Sequence, residues 1–117
     1  VLTQVHVPAW ALGARHAHIK KTAQEKIDYP LVNLTAIWKG DALRVAFSGL
    51  CENPVRLRGV EDAINDRAAP PAARTRRAME LLAPHAHGDC EGSREYRLFV
   101  AAHTLNKLLE DWEHGLL

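Results

Sequence analysis

At 117 residues the chain has room for one hydrophobic core and not for two, and 47% hydrophobic with 25% charged residues is the make-up of a folded globular chain. Fifteen basic against 14 acidic residues leave a formal +1, too little for a uniform field that would hold nucleic acid or an anionic membrane surface. No apolar run approaches the roughly 20 residues of a spanning helix, the first residues lack the charged start and apolar block of a secretory signal, and Cys51 and Cys90 form no CxxC pair; reduced, cytoplasmic thiols are expected rather than disulfides or structural zinc.

Residues 2–7 alternate, with Leu2, Gln4 and His6 on one side and Thr3, Val5 and Val7 on the other, until Pro8 ends the ladder; this predicts a first strand at a sheet edge. Beyond a loop at Gly13, residues 15–20 predict a short second strand, whose period of two sets His16, His18 and Lys20 on one face. The polar stretch 21–28 leads to Pro30, which biases Tyr29 toward extended backbone, so the next strand starts near Leu31. There Val32, Leu34, Ala36 and Trp38 share one face while Asn33, Thr35 and Ile37 share the other. Leu43, Val45 and Phe47 repeat the pattern after Gly40-Asp41, which predicts a hairpin with glycine supplying the positive φ of a tight turn. The more polar opposite faces predict a sheet covered on one side.

Cys51-Glu52-Asn53-Pro54 closes the sheet, because proline cannot donate to a ladder, and residues 60–64 predict a short helix. Pro70-Pro71 ends it and opens a second helix over 71–82, expected to bury Ala78, Met79 and Leu82 beneath a solvated face of Arg74, Arg76 and Arg77. After a loop marked by Pro84 and Gly88, Ser93 is an N-cap for a last helix carrying Leu98, Ala102, Leu105, Leu109 and Trp112 at helical spacing. Strands precede helices throughout. The predicted class is α+β: an antiparallel sheet of three or four strands followed by about three helices packed on one face, forming one domain over residues 1–117.

Chemistry-bearing residues are sparse. His16 with His18, and the run His85-Ala86-His87-Gly88-Asp89-Cys90, contain metal-capable side chains, but they lack the separated ligand pairs of structural zinc sites, and solvated loop histidines are the preferred reading. No serine or cysteine stands in a nucleophile elbow, and neither GxGxxG nor GxxxxGK[ST] is present to cradle a diphosphate. Arg67, Arg74, Arg76 and Arg77 lack the interleaved aromatics of a nucleic-acid platform and read as a solvated helix face. The seam ending at Trp112 reads as core in preference to a partner-binding zipper, which remains the alternative use of the chain as a non-enzymatic interaction module.

Four segments, in order, carry a resemblance. Leu2-Thr3-Gln4-Val5-His6-Val7-Pro8 forms the first, and Lys20 followed by Asp28-Tyr29-Pro30-Leu31-Val32 the second. The third is Asn53-Pro54-Val55-Arg56 with Glu61, and the fourth Gly92-Ser93-Arg94-Glu95-Tyr96-Arg97. Together they span nearly the whole chain and resemble the C-terminal domain of the FAD-binding (medium) subunit of molybdenum hydroxylases, the xanthine dehydrogenase and carbon monoxide dehydrogenase flavoprotein family. That resemblance implies a subunit taking electrons from iron-sulfur clusters, fed by a molybdenum cofactor, and passing them through FAD to NAD or another acceptor. It implies as partners an FAD-binding domain of the same subunit, an iron-sulfur subunit and a molybdenum-cofactor subunit. In the family the FAD phosphates are held by glycine-rich loops of a preceding domain, and nothing here is similar, so the chain is expected to be a piece without that domain, with no catalytic residue or metal ligand of its own.

By the same resemblance His18, Lys20, Asp28 and Tyr29 are the residues expected at the flavin. Tyr29 or His18 could cover the flat ring, and Lys20 would favour the anionic reduced form. The chain departs from the family pattern at Gln24, where arginine is common, and at His18, where an aromatic residue is common.

Overall fold

The alternation of residues 31–47 builds the centre of the molecule. In the computed structural model, which describes residues 1–23 and 30–117, strands β2 (Pro30–Lys39) and β3 (Ala42–Ser48) form a hairpin whose two-residue turn opens on Gly40 at φ +61°. Strand β1 (His16–Thr22) lies antiparallel on the other side of β2, giving a three-stranded sheet of order β1-β2-β3. Helices α1 (Arg58–Asn65), α2 (Pro71–Leu82) and α3 (Arg94–Glu113) follow, with short 3₁₀ turns over Ala9–Ala11 and Ala83–His85. The expected α+β class is therefore the observed one. No helix among the described residues is long and apolar enough to cross a membrane.

One face of the sheet makes the core. Leu34, Ala36 and Leu43 are fully buried, with Trp38, Val45 and Phe47 nearly so, whereas Thr35 on the alternate face is exposed. The helices lie on that side of the sheet, α3 over β2 and α1 against β3, with α2 packed on α1 and α3. The buried arc of α3 runs through Ala101, Leu105, Leu108, Leu109 and Trp112, and Ser93 caps its start by accepting from the Tyr96 N–H at 3.1 Å. Trp112 meets Trp38 edge to face, ring centroids 5.9 Å apart, with Arg15 and Arg67 stacked on the outer sides of the two rings.

The edge of β3 is closed by side chains. Asn65 accepts from Leu43 N–H and donates to Leu43 C=O, both at 2.8 Å; Glu61 accepts from Val45 N–H at 3.2 Å; and Phe47 exchanges two backbone bonds with Val55. Arg56 holds Glu61 in place through two bonds, of 2.7 and 2.9 Å, so the segment Asn53-Pro54-Val55-Arg56 and the start of α1 act together as a strand-edge cap.

Three expectations are corrected. Residues 1–8 form no strand: Leu2, Val5 and Val7 stand in solvent, because alternation gives the capacity to pair while a ladder needs an adjoining strand. Arg74 is not on the solvated face of α2 but fully buried, donating to the Ile64 carbonyl at 2.9 Å and paired with Glu113, so its charge joins α1, α2 and α3. Leu98, Ala102 and Met79 are only partly buried; α2 and α3 meet along their inner sides and leave these three at the margin of a groove.

Candidate functional site

The side of the sheet that no helix covers collects the polar alternates of three strands. In register across it run three rows: His16, Ile37 and Arg44; His18, Thr35 and Ala46; Lys20, Asn33 and Ser48. His18 Nδ1 lies 2.8 Å from Thr35 Oγ1, a hydrogen bond that fixes the ring's orientation, and Asn33 Nδ2 donates to Ser48 Oγ at 3.1 Å. The other amide atom, Asn33 Oδ1, is buried and has no hydrogen-bond partner among the described residues. No aspartate or glutamate occurs in any of the three strands, which carry Lys20, Lys21, Lys39 and Arg44. By alternation Lys20, Lys39 and Arg44 stand on the open face, which is therefore hydrogen-bonding and positively charged.

At its far end the 3₁₀ turn lays Trp10 over the sheet, with the Lys39 ammonium 5.1 Å and the Arg44 guanidinium 4.8 Å from its ring. A cavity of about 290 Å³ opens there between Trp10, Pro8, Ile37 and Arg56.

Below the other end sits Arg97, 3% exposed, the hub of the surrounding loops. It donates to the carbonyls of Leu31 at 2.8 Å, Gly49 at 2.7 Å and Gly92 at 3.3 Å, and to Asp89 at 2.6 Å. Arg97 and the backbone N–H groups of Glu91 and Gly92 hold the Asp89 carboxyl below the usual carboxylate range. Gly49, at φ +81°, is required where it stands, since a Cβ there would lie 2.8 Å from the Leu31 carbonyl oxygen. Cys51, in a cleft it lines with Gly49, Asp89 and Arg97, has its thiol pKa pushed up by burial, which leaves it a poor nucleophile.

Of the expected site residues, His18 and Lys20 stand two positions apart on the open face, as their alternation requires, whereas Asp28 and Tyr29, like Gln24, lie outside the described residues. His85, His87, Asp89 and Cys90 do not converge; among the described residues no three metal-capable side chains are grouped. Thr35, Asn33 and Trp10 were not singled out from the sequence. Alternation put Asn33 and Thr35 on the correct face, but which of them meets His18 depends on the register of β1 against β2, which no local signal sets. Of the seam on the C-terminal helix, Leu105, Leu109 and Trp112 are spent in the core, while Leu98 and Ala102 stay partly exposed.

No family model matches the chain, and no curated protein matches it. Solved structures do. The chain is similar to part of quinoline 2-oxidoreductase from Pseudomonas putida 86, with a TM-score of 0.66 and 22% identity over 92% of this chain and 38% of that one. It is similar to part of reconstituted CO dehydrogenase from Oligotropha carboxidovorans, with a TM-score of 0.58 and 18% identity over 79% of this chain and 35% of that one. A cyanide-inactivated Cu,Mo-CO dehydrogenase gives a TM-score of 0.55 and 16% identity, again over 79% and 35%. The chain thus spans less than two fifths of each of these three protein chains, and what it shares with them is the fold.

Proposed function

We propose that this chain is the C-terminal domain of the FAD-binding subunit of a molybdenum hydroxylase type oxidoreductase, where its open sheet face covers the flavin. The observation that carries this reading is the fold: 92% of the chain superposes on a minor part, 38%, of a larger oxidoreductase chain, as one domain of a longer subunit does. The four motif segments in family order support it independently of the fold.

The residues on the open face fit an isoalloxazine ring. They offer strands without carboxylates, a cation at Lys20, an oriented imidazole at His18 and, in Asn33 Oδ1, a buried acceptor that lacks a donor among the described residues. When bound, the flavin supplies the capacity to take up electrons and pass them on singly or in pairs. Lys20 places positive charge where reduction adds negative charge, which favours the reduced form. His18, held by Thr35, fixes one edge of the surface; Asp28 and Tyr29 complete the set by resemblance. With no GxGxxG or other phosphate loop in the sequence, the domain shapes the flavin's surroundings and leaves the grip on its phosphates to an FAD-binding domain. Its partners in this reading are that domain, an iron-sulfur subunit and a molybdenum-cofactor subunit, with NAD or another acceptor taking the electrons.

The test combines the chain with a separately produced FAD-binding domain of the resembled subunit and follows flavin absorbance, fluorescence and midpoint potential. Addition of the chain is expected to perturb the flavin spectrum, and Lys20→Ala to move the potential to more negative values. Unchanged spectrum and potential in both Lys20→Ala and Tyr29→Ala would show that these residues do not face the ring. Tight stoichiometric capture of free FAD by the chain alone would contradict the division of labour itself.

A further inference from the structure

On the opposite side of the molecule from the open sheet face, α2 and α3 leave a surface that the flavin reading does not use. A groove of about 630 Å³ runs between their outer sides, lined by the partly buried Met79, Leu98 and Ala102 and by the exposed Arg76, Glu80 and His103. On α2 the lining positions 72, 75, 76, 79 and 80 recur at helical spacing, so they form one continuous stripe. On α3, Phe99 lines the groove at 68% exposure, a large aromatic side chain in water in the second turn of a long helix. An apolar recess with an aromatic residue standing next to it, rimmed by polar groups, is the surface chemistry of an interface.

We infer that this groove is a self-association surface, occupied by the same groove of a second copy of the chain about a twofold axis. Two observations select a second copy over other partners. The patch carries both a projection, Phe99, and a recess lined by Ala72 and Ala102, small side chains that leave room for a ring; a twofold contact requires this self-complementarity, since each copy must supply both parts. The rim charges are also self-complementary. Arg76 and Glu80 are exposed, opposite in sign and one turn apart on α2, and among the described residues neither takes part in an ion pair. Antiparallel apposition of two α2 helices sets Arg76 of each copy against Glu80 of the other, whereas a partner of single charge would meet one like charge at this rim.

The experiment is sedimentation equilibrium of the whole 117-residue chain over a concentration series, with circular dichroism to verify that each variant is folded. A reversible dimer is expected. Phe99→Ala should raise its dissociation constant at least about tenfold, since an aromatic anchor inserted into a recess carries a large share of interface energy. Arg76→Glu and Glu80→Arg should each weaken the dimer about fivefold or more, and the double reversal should recover affinity to within about twofold. A chain that stays monomeric at every concentration overturns the inference. So does a dimer indifferent to Phe99→Ala, or one that the double reversal does not restore. None of these outcomes bears on the flavin face, which lies across the sheet.

Discussion

Single residues decide how the loops around the sheet are held. Asp89 is the clearest case: its carboxylate accepts from Arg97 and from the N–H groups of Glu91 and Gly92, which depresses its pKa below the unfolded value. A depressed carboxylate pKa contributes stability that is fully present above the unfolded pKa, about 3.9, and is lost as pH falls through the lower folded value. Asp89→Asn should therefore be less stable than the parent at neutral pH, and the gap should close on acidification below about pH 3.9. Urea denaturation across that pH range checks this; a gap independent of pH would mean that Asp89 acts by its shape rather than its charge. The same network explains why Arg97, a charged residue in the first turn of α3, is buried: three backbone carbonyls and one carboxylate replace the water it loses.

At the level of elements, the hairpin was fully legible in the sequence because both of its determinants are local, the period-two alternation and a glycine where the turn needs positive φ. The expected strand over residues 2–7 had the same alternation and did not form, because pairing is a relation between two segments and the described chain brings no strand alongside it. The protection of the β3 edge was equally invisible, since it depends on α1 returning to lay Asn65 against Leu43. Asn65→Ala removes both of those bonds and exposes a strand edge, so a loss of about 1–3 kcal/mol is expected. Hydrogen exchange should locate the change, with the Leu43 amide losing protection well before that of Trp38 in the central strand.

For the molecule as a whole, the sheet and the last helix are joined through one aromatic contact. Trp38 on β2 and Trp112 on α3 meet at 5.9 Å with planes at 75°, and the flanking guanidinium groups of Arg15 and Arg67 bring the first loop and the α1–α2 connection into the same cluster. Trp112→Ala should cost about 3–5 kcal/mol, a large fraction of the about 5–15 kcal/mol that holds a domain of this size together. Thermal unfolding followed by circular dichroism is expected to show one cooperative transition at a markedly lower midpoint. If α3 melted separately at an unchanged sheet midpoint, Trp112 would not be the tie between the two layers.

The sequence by itself determined the class of fold, the hairpin, the start of each long helix and the face on which His18 and Lys20 stand, because alternation, helical spacing, proline and capping act over a few residues. Only the tertiary structure decided that Arg74 and Arg97 turn inward, that Thr35 is the partner of His18, and that Trp10 lies against Lys39 and Arg44 at one end of the open face. Those outcomes rest on contacts between residues far apart in the chain. Such contacts depend on strand register and helix packing, which no short window of sequence encodes.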